Sequence, residues 1–379
     1  MNLDNYDYFL PEKNLALSPA VPRDSSKLLI YNSVSGEIIF DRFYNLDKYL
    51  PNNSFMVMNN TRVLPARVTL LRQGFGGQAK GKVVILFLVN EIIDNIIPVM
   101  VDRKINVGEK VFLDSKNYLK VITQKENIFN LEFNFSRNNL FDLLRKYGTM
   151  PIPPYLKKSP LKRDELLEKY QTIFAKTDGS AAAPTASLHF TDSVFNKLKK
   201  KGIEKYFITL HVGMGTFAPI DENNIKQKKL HEEYYEIDKE TLQCIDTLKS
   251  QGKKLVAVGT TVVRTIESIA RQHVFSSATP PRGPLAIPQK QLSSLLKSRT
   301  QNLKSNIYSK TDLFIFPPYD FKLVDIMITN FHLPKSSLMM LVEAFLQFKG
   351  AKNSLVELYE IAIKNNFRFY SFGDAMLIL

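Results

Sequence analysis

Apolar positions change their spacing along the chain, and the changes divide it. KLLIY and EIIFDRF flank NSVSG, so residues 27–43 read as a β-hairpin with Gly36 in the turn. NSFMVMNNTRV adds a short apolar strand running into Asn59-Asn60-Thr61-Arg62. From 63 to 135 the pattern is six short segments rich in Val, Ile and Phe, parted by turn-formers and charges: ARVTLLR, GKVVILFLVNEI, IIPVMVDR, KVFLDS, YLKVITQ and IFNLEFNF. They predict a small antiparallel sheet or barrel. Within this block GFGGQAKG, 74–81, reads as a hairpin loop. Its glycines could cradle a phosphate only if a helix followed, and none does. NNLFDLLRKYG predicts a short helix ending at Gly148, and the prolines of MPIPPYLKK favour extended backbone beyond it.

After that the spacing alternates. Helical patterns occur in LKRDELLEKY, TDSVFNKLKKK, DKETLQCIDTLKSQ, TTVVRTIESIARQ, KSSLMMLVEAFLQF and SLVELYEIAIKNN. Strand patterns occur in KYFITLHV, KLVAVG, DLFIF and DIMITNF. This alternation predicts an α/β domain with a mixed or parallel sheet. Residues 273–310 break it. Pro280, Pro281, Pro284 and Pro288 sit among Ser, Gln and Lys, which reads as a mobile basic loop with room for a short helix at QLSSLLKS.

Composition narrows the class. At 379 residues and 44 % hydrophobic, the chain has length for two domains and enough apolar material to pack them. Lys and Arg number 51 against 37 Asp and Glu, a net charge of +14 that points to a polyanionic partner. KLKKKG, 197–202, and IKQKKL, 225–230, are the densest runs, and each also reads as an ordinary solvated face. The single cysteine, Cys244, lies off the apolar row of its helix, and alone it makes neither an internal disulfide nor a cysteine cluster for a metal. MNLDNYDYFLPE has no basic leader, and SLMMLVEAFL is interrupted by Glu343. A cytoplasmic protein without a membrane anchor is expected.

Signatures of common chemistry are absent: no G-x-S-x-G, no P-loop, no G-x-G-x-x-G between strand and helix, and no histidine pair at zinc spacing. Gly213-Met214-Gly215 is a lone G-x-G. Four polar segments instead follow or interrupt apolar strands, where open α/β sheets bind ligands. AAAPTASLHFT carries Thr185 and His189. TLHVGMGTF carries His211. VAVGTTVVRTIES carries Thr260, Thr261, Arg264 and Glu267. ITNFHLPKSSL carries Asn330, His332 and Lys335. Bland readings stand beside these: a threonine pair can merely cap a helix, Arg264 and Glu267 can pair at i, i+3, and a lone histidine can be a satisfied core group.

At these segments the sequence resembles the S-adenosylmethionine:tRNA ribosyltransferase-isomerase family of queuosine biosynthesis. PRDSSKLL, NNTRVLPARV, GTMPIPPYL, YQTIFAK, AAAPTASLHFT, FITLHVGMGTF, LVAVGTTVVRTIES, TDLFIF, VDIMITNFHLPKSSLMMLVEAF and FRFYSFGDAMLIL match in family order from about residue 22 onward. The resemblance implies a larger α/β catalytic domain, 1–63 and 148–379, with a small antiparallel β-barrel inserted at 64–147. It implies two substrates: tRNA carrying 7-aminomethyl-7-deazaguanine at the wobble position, and S-adenosylmethionine consumed as ribosyl donor. The products would be epoxyqueuosine-tRNA, adenine and methionine, with no metal or redox cofactor; a monomer is expected.

That reaction needs a base for the proton beside the sulfonium and a donor for the leaving adenine. His189, His211 and His332 are the candidates for proton transfer. Asp374 would orient a base or cap its own turn. Thr185, Thr260 and Thr261 would bind ribose hydroxyls or the methionine carboxylate, beside Glu267 and Asn330. Arg62, Arg264 and Lys335 would hold carboxylate or phosphate. Some positions depart from the family. Ser187 stands where glycine is usual, Ala218 where a polar residue is usual, Pro318 replaces the glycine of PGY, and Ser309-Lys310 replaces Gly-Trp. The competing expectations are a tRNA-binding relative that has lost catalysis, and an ordinary methyltransferase. The Gly-rich loop of the latter is missing.

Overall fold

The computed structural model describes residues 2–73, 79–213, 220, 222–275 and 306–379. The expectations for Met214, Gly215 and Ala218, for most of the glycine loop at 74–81, and for all but the ends of the 273–310 segment lie outside the described residues.

In chain order the strands are β1 (Lys27–Tyr31), β2 (Ile38–Arg42), β3 (Ser54–Asn59), β4 (Thr61–Val63), β5 (Arg67–Gln73), β6 (Ala79–Phe87), β7 (Ile96–Val101), β8 (Lys110–Phe112), β9 (Tyr118–Lys125), β10 (Ile128–Phe133), β11 (Thr177–Ser180), β12 (Glu204–Leu210), β13 (Lys229–Ile237), β14 (Lys254–Val258), β15 (Ile307–Leu313), β16 (Ile326–Asn330) and β17 (Ala375–Ile378). The helices that matter here are α1 (Arg137–Tyr147), α2 (Arg163–Lys169), α3 (Asp192–Lys200), α4 (Glu222–Gln227), α5 (Lys239–Ser250), α6 (Thr260–Phe275), α7 (Ser337–Phe348) and α8 (Leu355–Lys364).

Among the described residues, nine strands form one mixed sheet in the order β15-β13-β12-β3-β14-β16-β17-β1-β2. Its centre, β12, β3, β14 and β16, is parallel. These strands are near-continuous apolar runs because both faces are covered, as parallel sheets require. Leu29, Phe55, Val57 and Leu255 pack on one face with α6, α7 and α8, while Leu28, Met56, Met58 and Val256 pack on the other with α3. The helices start where the sequence offers a cap. Thr191, Asp238 and Ser336 each accept a hydrogen bond from a first-turn N–H of α3, α5 and α7, and Ser354 does so within a capping box at α8.

The six short strands close into a barrel, β10-β7-β6-β5-β8-β9. Of the two sequence alternatives, the barrel is the one formed. Val68, Leu70, Val83, Ile85, Val99, Val121 and Leu131 alternate into its interior, and α1 seals it with Leu140 and Leu144. Arg72 and Gly81 pair across β5 and β6, so the glycine loop connects a hairpin. The barrel joins the body at two adjacent segments. Arg67 and Thr149 exchange backbone hydrogen bonds of 3.2 and 2.8 Å. Gly148 ends α1 so close to the incoming chain that a Cβ there would lie 1.7 Å from the Pro65 carbonyl oxygen.

Two edge features differ from the sequence expectation. DLFIF is a strand only to Leu313; Phe314 and Ile315 leave the sheet and enter the core. β13 lacks an apolar alternation because one of its inward positions is Glu233, buried against Arg264.

Candidate functional site

Parallel strands put their carboxyl ends on one edge, and all four polar segments meet there. β3 ends at Asn59, β12 runs into His211, β14 into Gly259, and β16 ends at Asn330. A cleft opens at this edge. Ala182–Ala186, Val212, Gly259–Thr261 and Thr329–Leu333 line it, together with Tyr155, Tyr170, Tyr370 and Ser371. None of the described lining side chains carries a formal charge at neutral pH.

Gly259 lies at φ +91°, a left-handed turn that starts α6 directly from β14. The Val262 and Val263 N–H groups donate to the Gly259 carbonyl, and Thr260 and Thr261, whose N–H groups come too early for an intrahelical acceptor, line the cleft. Thr260 and Thr261 stand on that first turn. The Thr261 hydroxyl accepts from Asn59 Nδ2 at 3.3 Å, and Thr185 opens the short 3-10 helix Thr185–His189 opposite. Tyr155 packs on Tyr370 with ring centroids 4.8 Å apart and shares a hydrogen bond of 2.7 Å with Ser371. Burial pushes the Tyr170 phenol up to about 12. The tyrosines were not singled out in the sequence. Tyr155 and Tyr370 stand outside any apolar period, whereas Tyr170 closes the helical pattern LKRDELLEKY.

The three histidines occupy different settings. His332 lines the cleft with Nε2 at 2.8 Å from Thr329 Oγ1. His189 lies beneath it, Nδ1 at 2.9 Å from Ser26 Oγ and Nε2 at 3.3 Å from Asn330 Nδ2. Burial lowers each of these two to about 3; Arg368 and Arg23 also act on His189. His211 sits beyond Val212 with Nδ1 at 2.8 Å from Thr61 Oγ1, and burial lowers its pKa against the opposing pull of Glu236 and Asp178.

The buried pair has a consequence for acid stability. Folded His189 and His332 stay neutral while an unfolded histidine takes a proton below about pH 6.5. Stability from these groups is therefore present above pH 6.5 and lost as pH falls toward 3, by about 1.4 kcal/mol per pH unit for each ring. Urea midpoints at pH 7.5, 6 and 5 should fall in that order, and His189→Gln should flatten the slope. A midpoint independent of pH would contradict the burial.

The charged candidates turn elsewhere. Arg264 forms a buried ion pair with Glu233 and donates Nε–H to the Leu313 carbonyl at 3.1 Å; Glu233 in turn accepts the Gly213 N–H at 2.9 Å. Glu267 accepts three backbone N–H groups, from Lys322, Leu323 and Val324, holding the turn after Pro318; burial raises its pKa. Arg264 and Glu267 therefore do not pair with each other. Lys335 bridges Asp4 and Asp7 at 2.8 and 3.1 Å, pinning the N-terminal segment. Arg62 donates to the Ala175 carbonyl at 2.6 Å. Asp374 accepts from the backbone N–H groups of Lys27 and Arg368 at 3.0 and 2.7 Å, which ties β1 to the turn before β17.

Ser187 has an ordinary negative φ and is fully buried, and its Oγ has no hydrogen-bond partner. An unpaired buried hydroxyl costs about 1–3 kcal/mol. Ser187→Ala should then leave the melting temperature unchanged or raise it by a few degrees. A fall of several degrees would mean that the hydroxyl is bonded.

Among the described residues there is no cluster of three or more His, Cys, Asp or Glu able to hold a metal, and no helix is long and apolar enough to cross a membrane.

Residues 3–378 match the family model described as queuosine biosynthesis protein. The chain belongs to the queuosine biosynthesis family. Two curated relatives bear the name S-adenosylmethionine:tRNA ribosyltransferase-isomerase. That from Carboxydothermus hydrogenoformans is 40 % identical over 382 residues, and that from Thermosipho melanesiensis 38 % over 381, with 100 % of each chain covered. A solved structure, the S-adenosylmethionine tRNA ribosyltransferase of Thermotoga maritima, is 30 % identical, covers 99 % of both chains and superposes with a TM-score of 0.50. This member of the queuosine biosynthesis family is a mixed α/β body carrying a closed barrel.

Proposed function

We propose that this protein transfers and isomerises the ribosyl group of S-adenosylmethionine onto tRNA. The acceptor is the aminomethyl group of 7-aminomethyl-7-deazaguanine at the wobble position, giving epoxyqueuosine-tRNA, adenine and methionine. Catalysis falls to the α/β body, 1–63 and 148–379. The protein works as a cytoplasmic monomer without metal or redox cofactor.

The observation that carries this reading is the cleft, taken with full-length family membership. Its described lining is neutral and rich in tyrosine. A sulfonium cation is favoured by aromatic faces and suffers no repulsion there. Thr185, Thr260 and Thr261 offer hydroxyls to a ribose, and the first turn of α6 offers N–H groups to a carboxylate. His332 is the one imidazole lining the cleft among the described residues. Held neutral, it donates or accepts a single hydrogen bond at the leaving base or the reacting sugar. The cleft also brings the acceptor amine and the sugar together, replacing a bimolecular encounter.

Incubation with S-adenosylmethionine and tRNA bearing the aminomethyl base tests the reading. Adenine release with epoxyqueuosine in the digested tRNA supports it. Modified tRNA bound without adenine release would instead identify a catalytically lost binder. Affinity for tRNA should fall as salt rises from low to physiological concentration, because exposed lysines such as Lys199 and Lys200 displace phosphate counterions. Lys197 and Lys201 contribute less, since they are bound to the carbonyls of Tyr44 and Asp47. Salt-independent affinity would refute electrostatic recognition.

A further inference from the structure

Asn330 closes β16 at the wall of the cleft, and only 2 % of it is exposed. Its Nδ2 faces three acceptors: His189 Nε2 at 3.3 Å and the carbonyls of Tyr370 and Asp374, both at 3.4 Å. These fix the amide, because turning it over would set Oδ1 against two carbonyl oxygens. Oδ1 is left buried with no hydrogen-bond partner. A buried acceptor without a protein partner beside a cleft is a place where a ligand donor gains a hydrogen bond.

The arrangement has a second layer. His189 can accept from Asn330 only if Nε2 carries no proton, which puts the proton on Nδ1 facing Ser26 Oγ at 2.9 Å. Phe43 covers the ring, with centroids 5.0 Å apart. Both ring nitrogens are therefore engaged, and the ring serves to set the amide.

We propose that Ser26 and His189 are positioning residues that orient Asn330 so that Oδ1 accepts a hydrogen bond from an N–H group of bound S-adenosylmethionine. An amide oxygen only accepts, so its best partner is a group that only donates. The threonines already serve the hydroxyls. Two groups of the substrate qualify: the methionine ammonium and the amino group of adenine. The inference rests on the substrate reading above.

Calorimetric binding to the full chain separates the two sources. The ligands are S-adenosylmethionine, its analogue lacking the α-amino group, and its analogue with oxygen in place of the adenine amino group. Wild type should disfavour one analogue by about 100-fold or more, since a site built around a donor rejects a ligand without it. Asn330→Ala, Ser26→Ala and His189→Leu should erase that discrimination. His189→Gln, whose Oε1 can accept from Nδ2, should restore it. Discrimination that survives Asn330→Ala overturns the proposal, as does wild type that discriminates against neither analogue. Nitrogen-15 histidine spectra of the free protein supply a test that needs no ligand. The proton of His189 is expected on Nδ1, and a proton on Nε2 would break the relay. Discriminating binding without adenine release would sink the proposed reaction and leave the relay standing. Adenine release with unaltered discrimination in the variants would sink the relay alone.

Discussion

Replacing His332 with alanine should slow adenine release by about 100- to 10,000-fold, the range expected for a positioned acid–base or hydrogen-bonding group. The fold should survive. The main chain at 332 is held from both sides without the imidazole: its carbonyl accepts from the Tyr8 hydroxyl at 2.5 Å, and its N–H donates to the Tyr359 hydroxyl at 2.9 Å. The melting temperature and S-adenosylmethionine binding should thus change far less than turnover. Burial keeps the ring neutral down to about pH 3, so no His332 ionisation should mark the pH–rate profile of the free enzyme between pH 5 and 8. Near-normal turnover in the alanine variant would remove His332 from the chemistry.

Gly148→Ala should destabilise the protein by about 3 kcal/mol or more, or prevent folding, at the upper end of overpacking costs. The backbone there has φ −77° and ψ 161°, which any residue adopts, so strain is not the cause. The cause is space. The new Cβ would meet the carbonyl oxygens of Pro65 at 1.7 Å and Leu144 at 2.4 Å. Both are backbone, and neither can swing aside like a side chain. Moving Pro65 away would pull on the paired bonds between Arg67 and Thr149 that join barrel to body. Equilibrium urea unfolding measures the loss, and a change under 1 kcal/mol would mean that the two chains do not approach so closely.

Gly148 also shows what sequence can and cannot disclose. Its role as helix terminator was readable from NNLFDLLRKYG, but the crowding against Pro65 was not, because the two segments are distant in the chain. The same division runs through the site. Strand ends at His211, Gly259 and Asn330 were legible from apolar runs that break into polar residues, and these ends do share one edge. Which polar side chains face the cleft was not legible. Arg264 turns to Glu233 on β13, Glu267 to the turn at 322–324, and Lys335 to Asp4 and Asp7. Each partner lies on another element, and local periodicity carries no trace of it. β13 escaped for a related reason: an inward Glu233 breaks the apolar alternation and becomes tolerable only through Arg264. Ser26 lies in PRDSSKLL, which carries the family resemblance but assigns the serine no role, and its place against His189 exists only in three dimensions.

β17 lies between β16 and β1 in the sheet, and Leu28 to Tyr31 pair in parallel with Ala375 to Ile378. The side chain of Asp374 meets the backbone of Lys27 across 347 residues of chain. The β1–β2 hairpin precedes the other seven strands of the sheet, so it is made before any of them is there to join. β17 follows the other eight strands of the sheet in chain order, so of these nine it is synthesised last. Docking it brings Asn330 its carbonyl partners at Tyr370 and Asp374, so this wall of the cleft is completed only when β17 joins the sheet. A nascent chain stalled before residue 370 would hold a finished barrel and an open sheet, and so would be a client for chaperones rather than a working enzyme.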